Sequence, residues 1–336
     1  MQSFEEIARL TEEAIESRVF PGGVIGVLDK SGRRAAPFGH LTYELDSSAV
    51  TEETLYDCAS ITKSIPTATL ALQLMDEGKL SLGDKLISYI PEYHTRHREE
   101  VRIRHLLTYT LGNTTSLSSL ADKTPDEIFA AVCTEEMHPP GTAFSYSNIP
   151  AFLLGTVIER ILGTSLDKAA TERIFKPLDM TSITFHPNVR LRKSNIAPTE
   201  IVDGNELQGI VHDESARVFA KAGKVVGHAG LFSTMPDLLT FLENLLANPD
   251  KRLCTSQIVQ LNASTALGWE LNQSWMGEKR SSKTFGKTGF TGTSIVCDFE
   301  RQTAIAVLCN RTYPKRPADT SAINAFRSAV CDIVFK

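Results

Sequence analysis

The chain has 336 residues, 42% hydrophobic and 22% charged, an ordinary balance for a soluble globular protein of one or two domains. A formal net charge of −5 gives no electrostatic footing for nucleic acid or an anionic membrane as partner. The acidic start Met1-Gln2-Ser3-Phe4-Glu5-Glu6 lacks the basic and apolar regions of a secretory signal and no apolar run spans a bilayer, so a cytoplasmic location is expected.

Phe4, Ile7, Ala8, Thr11, Ala14 and Ile15 fall on one helical face, and Pro21-Gly22-Gly23 stops that helix. Val24–Leu28 then reads as a short apolar strand, Asp29-Lys30-Ser31-Gly32 as a turn, and Arg33–Phe38 as the hairpin partner. Ser60 opens an amphipathic helix in which Pro66, in the second turn, removes a backbone hydrogen bond and should bend the axis. Helices follow over Thr67–Glu77, stopped by Gly78, and over Ile103–Thr110, Pro125–Cys133, Ile149–Leu162, Ser165–Phe175 and Leu238–Leu246. Loops rich in Pro, Asn and Ser occupy 112–124, 186–209 and 273–283. Ser294–Phe299 and Thr303–Leu308 flank Glu300-Arg301-Gln302 as a second strand pair, and Asp319–Val334 closes the chain as a helix. The expected fold class is therefore α/β (α+β): an antiparallel sheet built from both chain ends, flanking helices and an inserted helical region. Residues 1–80 and 265–336 would form the discontinuous sheet domain and 81–264 the mainly helical region, with an active site at their interface.

Ser60-Ile61-Thr62-Lys63 puts a hydroxyl and an amine on one helix face, within reach of each other. A serine hydroxyl is a weak nucleophile until an adjacent base activates it. Tyr146, in Ser145-Tyr146-Ser147-Asn148, becomes a proton acceptor where nearby cations favour its phenolate. Asn148 carries both a donor and an acceptor for a substrate amide. The glycines of Gly286-Lys287-Thr288-Gly289-Phe290-Thr291-Gly292-Thr293 let a backbone or ligand approach a strand edge. Lys287 offers a cation to a substrate carboxylate or to Tyr146, and Thr288 adds a hydroxyl. The chain has no G-x-S-x-G elbow, Walker loop, G-x-G-x-x-G or H-E-x-x-H motif. His94, His97 and His105 lie near one another without a carboxylate at ligand spacing, so no metal is expected. Six cysteines (58, 133, 254, 297, 309, 331) form no C-x-x-C pair and read as reduced, buried thiols.

The motifs Ser-x-x-Lys at 60–63, Tyr-Ser-Asn at 146–148 and Lys-Thr-Gly at 287–289 occur in that order on a helix start, a loop and a strand. Together they resemble the active-site motifs of the serine β-lactamase and penicillin-binding-protein superfamily. The tyrosine form of the second motif is similar to that of class C β-lactamases, D-alanyl-D-alanine carboxypeptidases and related esterases. Leu55–Lys63, Leu72–Asp84, Ile103–Thr110, Pro139–Ile161 and Gly227–Leu239 extend the resemblance over most of the chain.

The resemblance implies a cofactor-free serine hydrolase that forms an acyl-enzyme on Ser60. Lys63 and Tyr146 would share general-base duty, with the first proton acceptor left open between them, and Tyr146 would activate the deacylating water. Asn148 would orient the acyl group and Lys287 would hold positive potential over Tyr146. The backbone N–H groups of Ser60 and Phe290, beside Thr288 and Gly289, would bind the oxyanion. Tyr109 and Leu111 stand where the family usually shows His and Ser, and are expected to serve packing. Val-His-Asp at 211–213, followed by Gly-His-Ala-Gly at 227–230, resembles a subset of the family's hydrolases. His212 is a candidate for the cleft wall, while Asp213 is a candidate either for the cleft or for capping and hydrogen bonding. The expected substrate is a small ester or amide, since cell-wall peptidase work calls for export. The alternatives are a β-lactam or D-amino-acid peptide handled by the same chemistry, or a homologue that binds such a ligand without turnover. The oligomeric state is left open.

Overall fold

The computed structural model describes residues 2–187, 193–248 and 265–336. Cys254, part of the 186–209 loop and the last stretch of the 81–264 region lie outside the described residues.

Helix α1 (Gln2–Glu16) leads into strands β1 (Gly22–Asp29) and β2 (Gly32–Gly39). The other sheet strands come from the far end of the chain: β3 (Glu270–Leu271), β4 (Thr284–Thr288), β5 (Ser294–Asp298) and β6 (Thr303–Cys309). Their order is β2-β1-β6-β5-β4-β3, antiparallel throughout, so the two chain ends meet where β1 pairs with β6. Ile25 lies opposite Val307 in that register. Helix α1 and the closing helix α9 (Ser321–Val334) cover one face, where Ile7, Ile25, Val27, Ile305, Val307 and Phe326 pack together. Helix α8 (Met235–Ala247) covers the other face, against Val24, Leu28, Ala304 and Leu308. Burial on both faces explains why β1 and β6 are nearly continuous apolar runs instead of alternating ones. The fold is the expected one, an antiparallel sheet from both ends with flanking helices.

Between the sheet segments run α2 (Thr69–Asp76), α3 (Ile103–Leu107), α4 (Pro125–Thr134), α5 (Ile149–Leu162), α6 (Leu166–Ala170) and α7 (Glu214–Lys221). The larger core is continuous from Val24 through Leu70, Leu106, Phe152 and Trp269 to Leu308, so sheet and helices share it. Helix α3 is shorter than its pattern predicts, because Tyr109 takes a left-handed φ of 54° just beyond it. Helix α7 has no counterpart in the sequence reading. Among the described residues no single helix is long and apolar enough to cross a membrane.

The Ser60 helix departs most from expectation. Ala59–Lys63 is a 3₁₀ turn, Ser64–Ala68 is a π turn, and only then does regular α2 begin. Pro66 lacks an N–H and its ring crowds the carbonyl four residues earlier, that of Thr62. The chain answers with a wider register, in which the Thr69 amide donates to Ser64 O. The Pro66 defect is thus a change of helix register downstream of Lys63, and the Ser60–Lys63 turn stays intact.

Asp298 anchors the β5–β6 turn from a fully buried position. Its oxygens accept from the Glu300 and Arg301 amides (2.9 and 3.0 Å), the Ser281 and Thr284 hydroxyls (3.0 and 2.9 Å) and the Arg301 guanidinium (2.9 Å). Burial opposes its ionisation, but these donors outweigh burial and hold the carboxyl below its usual range. A folded-state pKa below the unfolded one gives stability that is present above the unfolded value and is lost as pH falls through the folded value. Asp298→Ala is expected to lower stability by about 3 kcal/mol, since several buried donors lose their acceptor. Urea melts at neutral and acid pH check this: the gap between the two proteins should close on acidification.

Candidate active site

Asp57 and Thr62 fix the turn that presents Ser60. Asp57 Oδ1 accepts from the Ala59 amide (2.7 Å) and Thr62 Oγ1 donates to Ala59 O (2.6 Å), holding Ala59 at a left-handed φ of 44°. In a 3₁₀ turn, side chains three apart eclipse one another. Accordingly Lys63 Nζ donates to Ser60 Oγ at 2.9 Å and to His228 O at 2.8 Å. Lys63 is buried, which together with the nearby Lys287 charge moves its pKa below the ordinary lysine value against the pull of Tyr146. A depressed amine is able to act as a base near neutral pH.

Tyr146 arrives on the loop before α5 and opens to the cleft. Its ring centroid lies 4.4 Å from Lys287 Nζ, 5.5 Å from Lys63 Nζ and 5.1 Å from the Tyr109 ring. Burial favours the neutral phenol, but the Lys287 and Lys63 charges outweigh it, and Tyr146 is displaced below its ordinary value. Lys287 is a fixed cation. Wholly buried on β4, it donates to Glu270 Oε1 at 2.8 Å, and the Glu270 charge more than offsets its burial and raises its pKa. Glu270 Oε2 in turn accepts from Trp275 Nε1 at 3.1 Å. Tyr109, expected only to pack, stands beside both Tyr146 and Lys287, with Lys287 Nζ 5.1 Å from its ring.

Asn148 and Asp213 form a second support. Asn148 Nδ2 donates to Asp213 Oδ2 at 2.9 Å. Asp213 is the N-cap of α7, its Oδ1 accepting from the Ala216 amide (2.9 Å) and Ser215 Oγ (2.6 Å), with His228 Nε2 at 3.3 Å. Burial opposes its charge, yet His228 and these donors hold the carboxyl far below its usual range. The His228 carbonyl is the one that receives Lys63, so the chain Asn148–Asp213–His228 ends on the Lys63 amine.

His212 and Asp213, each open between a cleft role and a structural one, both make structural contacts here. His212 is buried, its Nε2 lying 3.1 Å from Glu200 Oε2 and its ring stacking behind Phe290 at 5.6 Å. The Glu200–Arg316 pair draws the imidazole inward, and Phe290 covers it from the cleft side. Asp213 is occupied by capping, the other role considered for it. The Lys287 amine is paired with Glu270 and lies over the Tyr146 ring, the second of the two roles open to it.

The cleft is a cavity of about 350 Å³. Ser60 and Tyr146 face the Thr288-Gly289-Phe290 edge, Phe144 and Trp275 supply apolar wall, and Arg311 and Arg327 close one end. Gly289 is required at that edge, since a Cβ there would fall 2.1 Å from Thr293 Oγ1 and 2.5 Å from Cys58 O. The buried Arg327 Nη2 donates to Gly289 O (3.1 Å) and Thr293 O (2.8 Å). A trans peptide points its N–H opposite its C=O, so this grip directs the Phe290 N–H away from Arg327. Arg311 Nε holds Phe290 O at 2.9 Å. Among the described residues neither guanidinium pairs with a carboxylate side chain, and Arg327 Nε has no partner. A larger hollow of about 540 Å³ between α4, α5 and α6 contains none of the predicted site residues.

The remaining candidates sit elsewhere. His94 Nδ1 lies 2.7 Å from an Arg98 nitrogen, His97 Nδ1 lies 2.9 Å from Glu100, and His105 Nδ1 accepts the Arg102 amide. Among the described residues no three metal-ligating side chains converge. Cys58 is wholly buried and its thiol pKa is pushed up by that burial.

Three comparisons bear on this geometry. The sequence profile of the family described as "Beta-lactamase" matches residues 7–328. The chain is 30% identical over 308 residues to a "Putative D-alanyl-D-alanine carboxypeptidase" of Escherichia coli (strain K12), covering 78% of this chain and 70% of that protein. It is 28% identical over 363 residues to an "N-acetylmuramyl-L-alanine amidase" of Bacillus subtilis (strain 168), covering 91% and 81%. Solved structures share the fold. EstCE1, "a hydrolase with promiscuous acyltransferase activity", superposes with a TM-score of 0.79 at 17% identity, covering 100% of this chain and 99% of that one. A simvastatin synthase mutant from Aspergillus terreus superposes at 0.77 with 19% identity, covering 99% and 96%.

Proposed function

The chain belongs to the beta-lactamase family, and from that premise we propose that it is a serine hydrolase that cleaves small esters or amides through an acyl-enzyme on Ser60. The observation that carries the reading is Ser60 Oγ at 2.9 Å from the buried Lys63 amine, in one cleft with a phenol that two lysines make more acidic. Ser60 Oγ attacks the substrate carbonyl while Lys63 or Tyr146 takes its proton. The oxyanion forms against the Ser60 and Phe290 N–H groups, where each donor is worth about 3 kcal/mol of transition-state stabilisation. Collapse expels the alcohol or amine, which receives the proton. Water, deprotonated by Tyr146, then attacks the acyl-enzyme and regenerates the Ser60 hydroxyl. Asn148 keeps its carbonyl oxygen and its second N–H for the acyl group.

A second reading keeps this chemistry and makes the substrate a D-amino-acid peptide or a β-lactam. It is favoured by the positive charge of Arg311 and Arg327 beside the cleft, because both substrate classes carry a carboxylate. Intact-mass measurement after exposure to p-nitrophenyl acetate, a fluorophosphonate and a penicillin, with turnover of a D-alanyl-D-alanine peptide, separates the readings. Adducts and turnover with the ester alone support the first, and turnover of the peptide or penicillin alone supports the second. Ligand binding with neither adduct nor turnover makes the protein a binding homologue. Fluorophosphonate labelling that survives Ser60→Ala overturns the nucleophile assignment.

A further inference from the structure

We propose that Asp57 is a positioning residue that ties together the two walls carrying the oxyanion donors. The inference rests on the reading of Ser60 as nucleophile. Asp57 is buried, and each of its carboxylate oxygens accepts a backbone amide: Oδ1 that of Ala59 at 2.7 Å, Oδ2 that of His212 at 2.8 Å. Among the described residues no cation pairs with it, an expensive arrangement for a buried carboxylate unless both oxygens are needed as acceptors.

The first grip acts on Ser60. Ala59 sits at φ 44°, a region that L-residues avoid and that persists only where surrounding contacts over-determine it. Asp57 holds the peptide on the N-terminal side of Ala59, and Thr62 holds the carbonyl on its C-terminal side. With both peptides fixed, the Ser60 N–H has a set direction, opposite to Ala59 O.

The second grip acts on the other wall. The His212 amide is held by Asp57 while its ring stacks on Phe290, whose N–H is the second expected donor. The same wall is joined directly to the Asp57 backbone, because Thr291 Oγ1 donates to Asp57 O at 2.7 Å. One residue thereby contacts both halves of the site, although it neither lines the cleft nor reaches Ser60 Oγ.

Charge and geometry make opposite predictions, which gives the test its sign. A carboxylate this close opposes a developing oxyanion, so neutralising it without loss of positioning would speed acylation. If positioning dominates, Asp57→Asn slows it, because the amide group offers an N–H donor where an acceptor is needed. A misplaced reacting group can cost about 100-fold in rate. We expect fluorophosphonate labelling of Ser60 and the p-nitrophenyl acetate burst to slow about tenfold in Asp57→Asn and about 100-fold in Asp57→Ala, with noncovalent affinity for the ester unchanged. Hydrogen exchange is followed in parallel on the same proteins, and the Ala59, Ser60 and His212 amides should exchange faster in both variants while the β1 and β6 amides do not. Acylation as fast as wild type, or faster, in Asp57→Asn overturns the proposal. So does unchanged exchange at those three amides, a readout that decides the role of Asp57 even if the wild-type chain takes no label at Ser60. Absence of wild-type labelling counts instead against the nucleophile reading. Faster exchange throughout the protein in both variants would mark a purely structural role and overturn it as well.

Discussion

Replacement of Ser60 by Ala is expected to lower acyl turnover by about six orders of magnitude, to the level set by binding and the oxyanion site alone. Without the hydroxyl no acyl-enzyme forms, and the p-nitrophenyl ester burst disappears together with steady-state release. Lys63→Ala and Tyr146→Phe each remove one candidate base and are expected to cost about 10²–10⁴-fold. The double variant should cost much less than the product of the two. If the two groups act within one proton relay, once either is lost the second has less to contribute. Their order also becomes readable. If Lys63 takes the first proton, Lys63→Ala suppresses the burst, whereas Tyr146→Phe leaves a burst and slows the following steady phase. If Tyr146 takes it, both phases fail in Tyr146→Phe. Ser60→Ala folded as wild type but still turning over the ester at more than a thousandth of the native rate would sink the assignment. The comparison is clean because Ser60 is only partly buried and its replacement opens no cavity in the core.

Much of this arrangement is local in sequence, and those parts were legible. Ser60 and Lys63 lie one turn apart, so helical periodicity alone brings them together. The strands at the chain ends announce themselves by apolar runs bounded by turns, and β1 pairing with β6 follows from the need to cover both. The groups that were missed act across long separations and carry no local signature. Glu270 meets Lys287 only because the two-residue β3 pairs with β4, too short a segment to show any period. Asp57 looks like an ordinary polar residue before a helix, and its role depends on a loop 155 residues away. Arg311 and Arg327 gain meaning from the cleft they close, which no pattern in the chain describes. The Pro66 outcome was half legible. The lost hydrogen bond follows from residue type, but whether the helix bends or changes register depends on the packing around it. His212 shows the converse ambiguity. A histidine beside an aspartate in a loop suggests a site, yet burial against Glu200 and behind Phe290 withdraws it from the cleft.

The strongest electrostatic prediction concerns Lys287, whose buried amine is paired with Glu270. If Tyr146 works as a base, the rate rises with pH as its phenol ionises, and the midpoint follows its pKa. Removing the Lys287 cation destabilises the phenolate, so the pKa climbs toward the ordinary tyrosine value and the midpoint moves to higher pH. A cation within 4–6 Å commonly shifts a pKa by about 1–3 units, and each unit is about tenfold in the phenolate fraction at neutral pH. Lys287→Met alone would leave Glu270 half-buried without its partner, an arrangement that costs about 3–5 kcal/mol when a buried pair is broken. The informative protein is therefore Lys287→Met/Glu270→Gln, which removes both charges and keeps the packing. Its midpoint should rise by about one to two pH units, less than the loss of Lys287 alone would give, because the Glu270 charge that opposed ionisation goes with it. Glu270→Gln by itself has the opposite sign: with Lys287 retained, Tyr146 becomes more acidic and the midpoint moves down. Phenolate absorbance measured against the matching Tyr146→Phe proteins reads the same pKa without any substrate. Midpoints that stay fixed in both variants would mean that Lys287 and Glu270 only brace β3 against β4. Opposite displacements in the two, matched by the absorbance titration, would place the working proton on Tyr146.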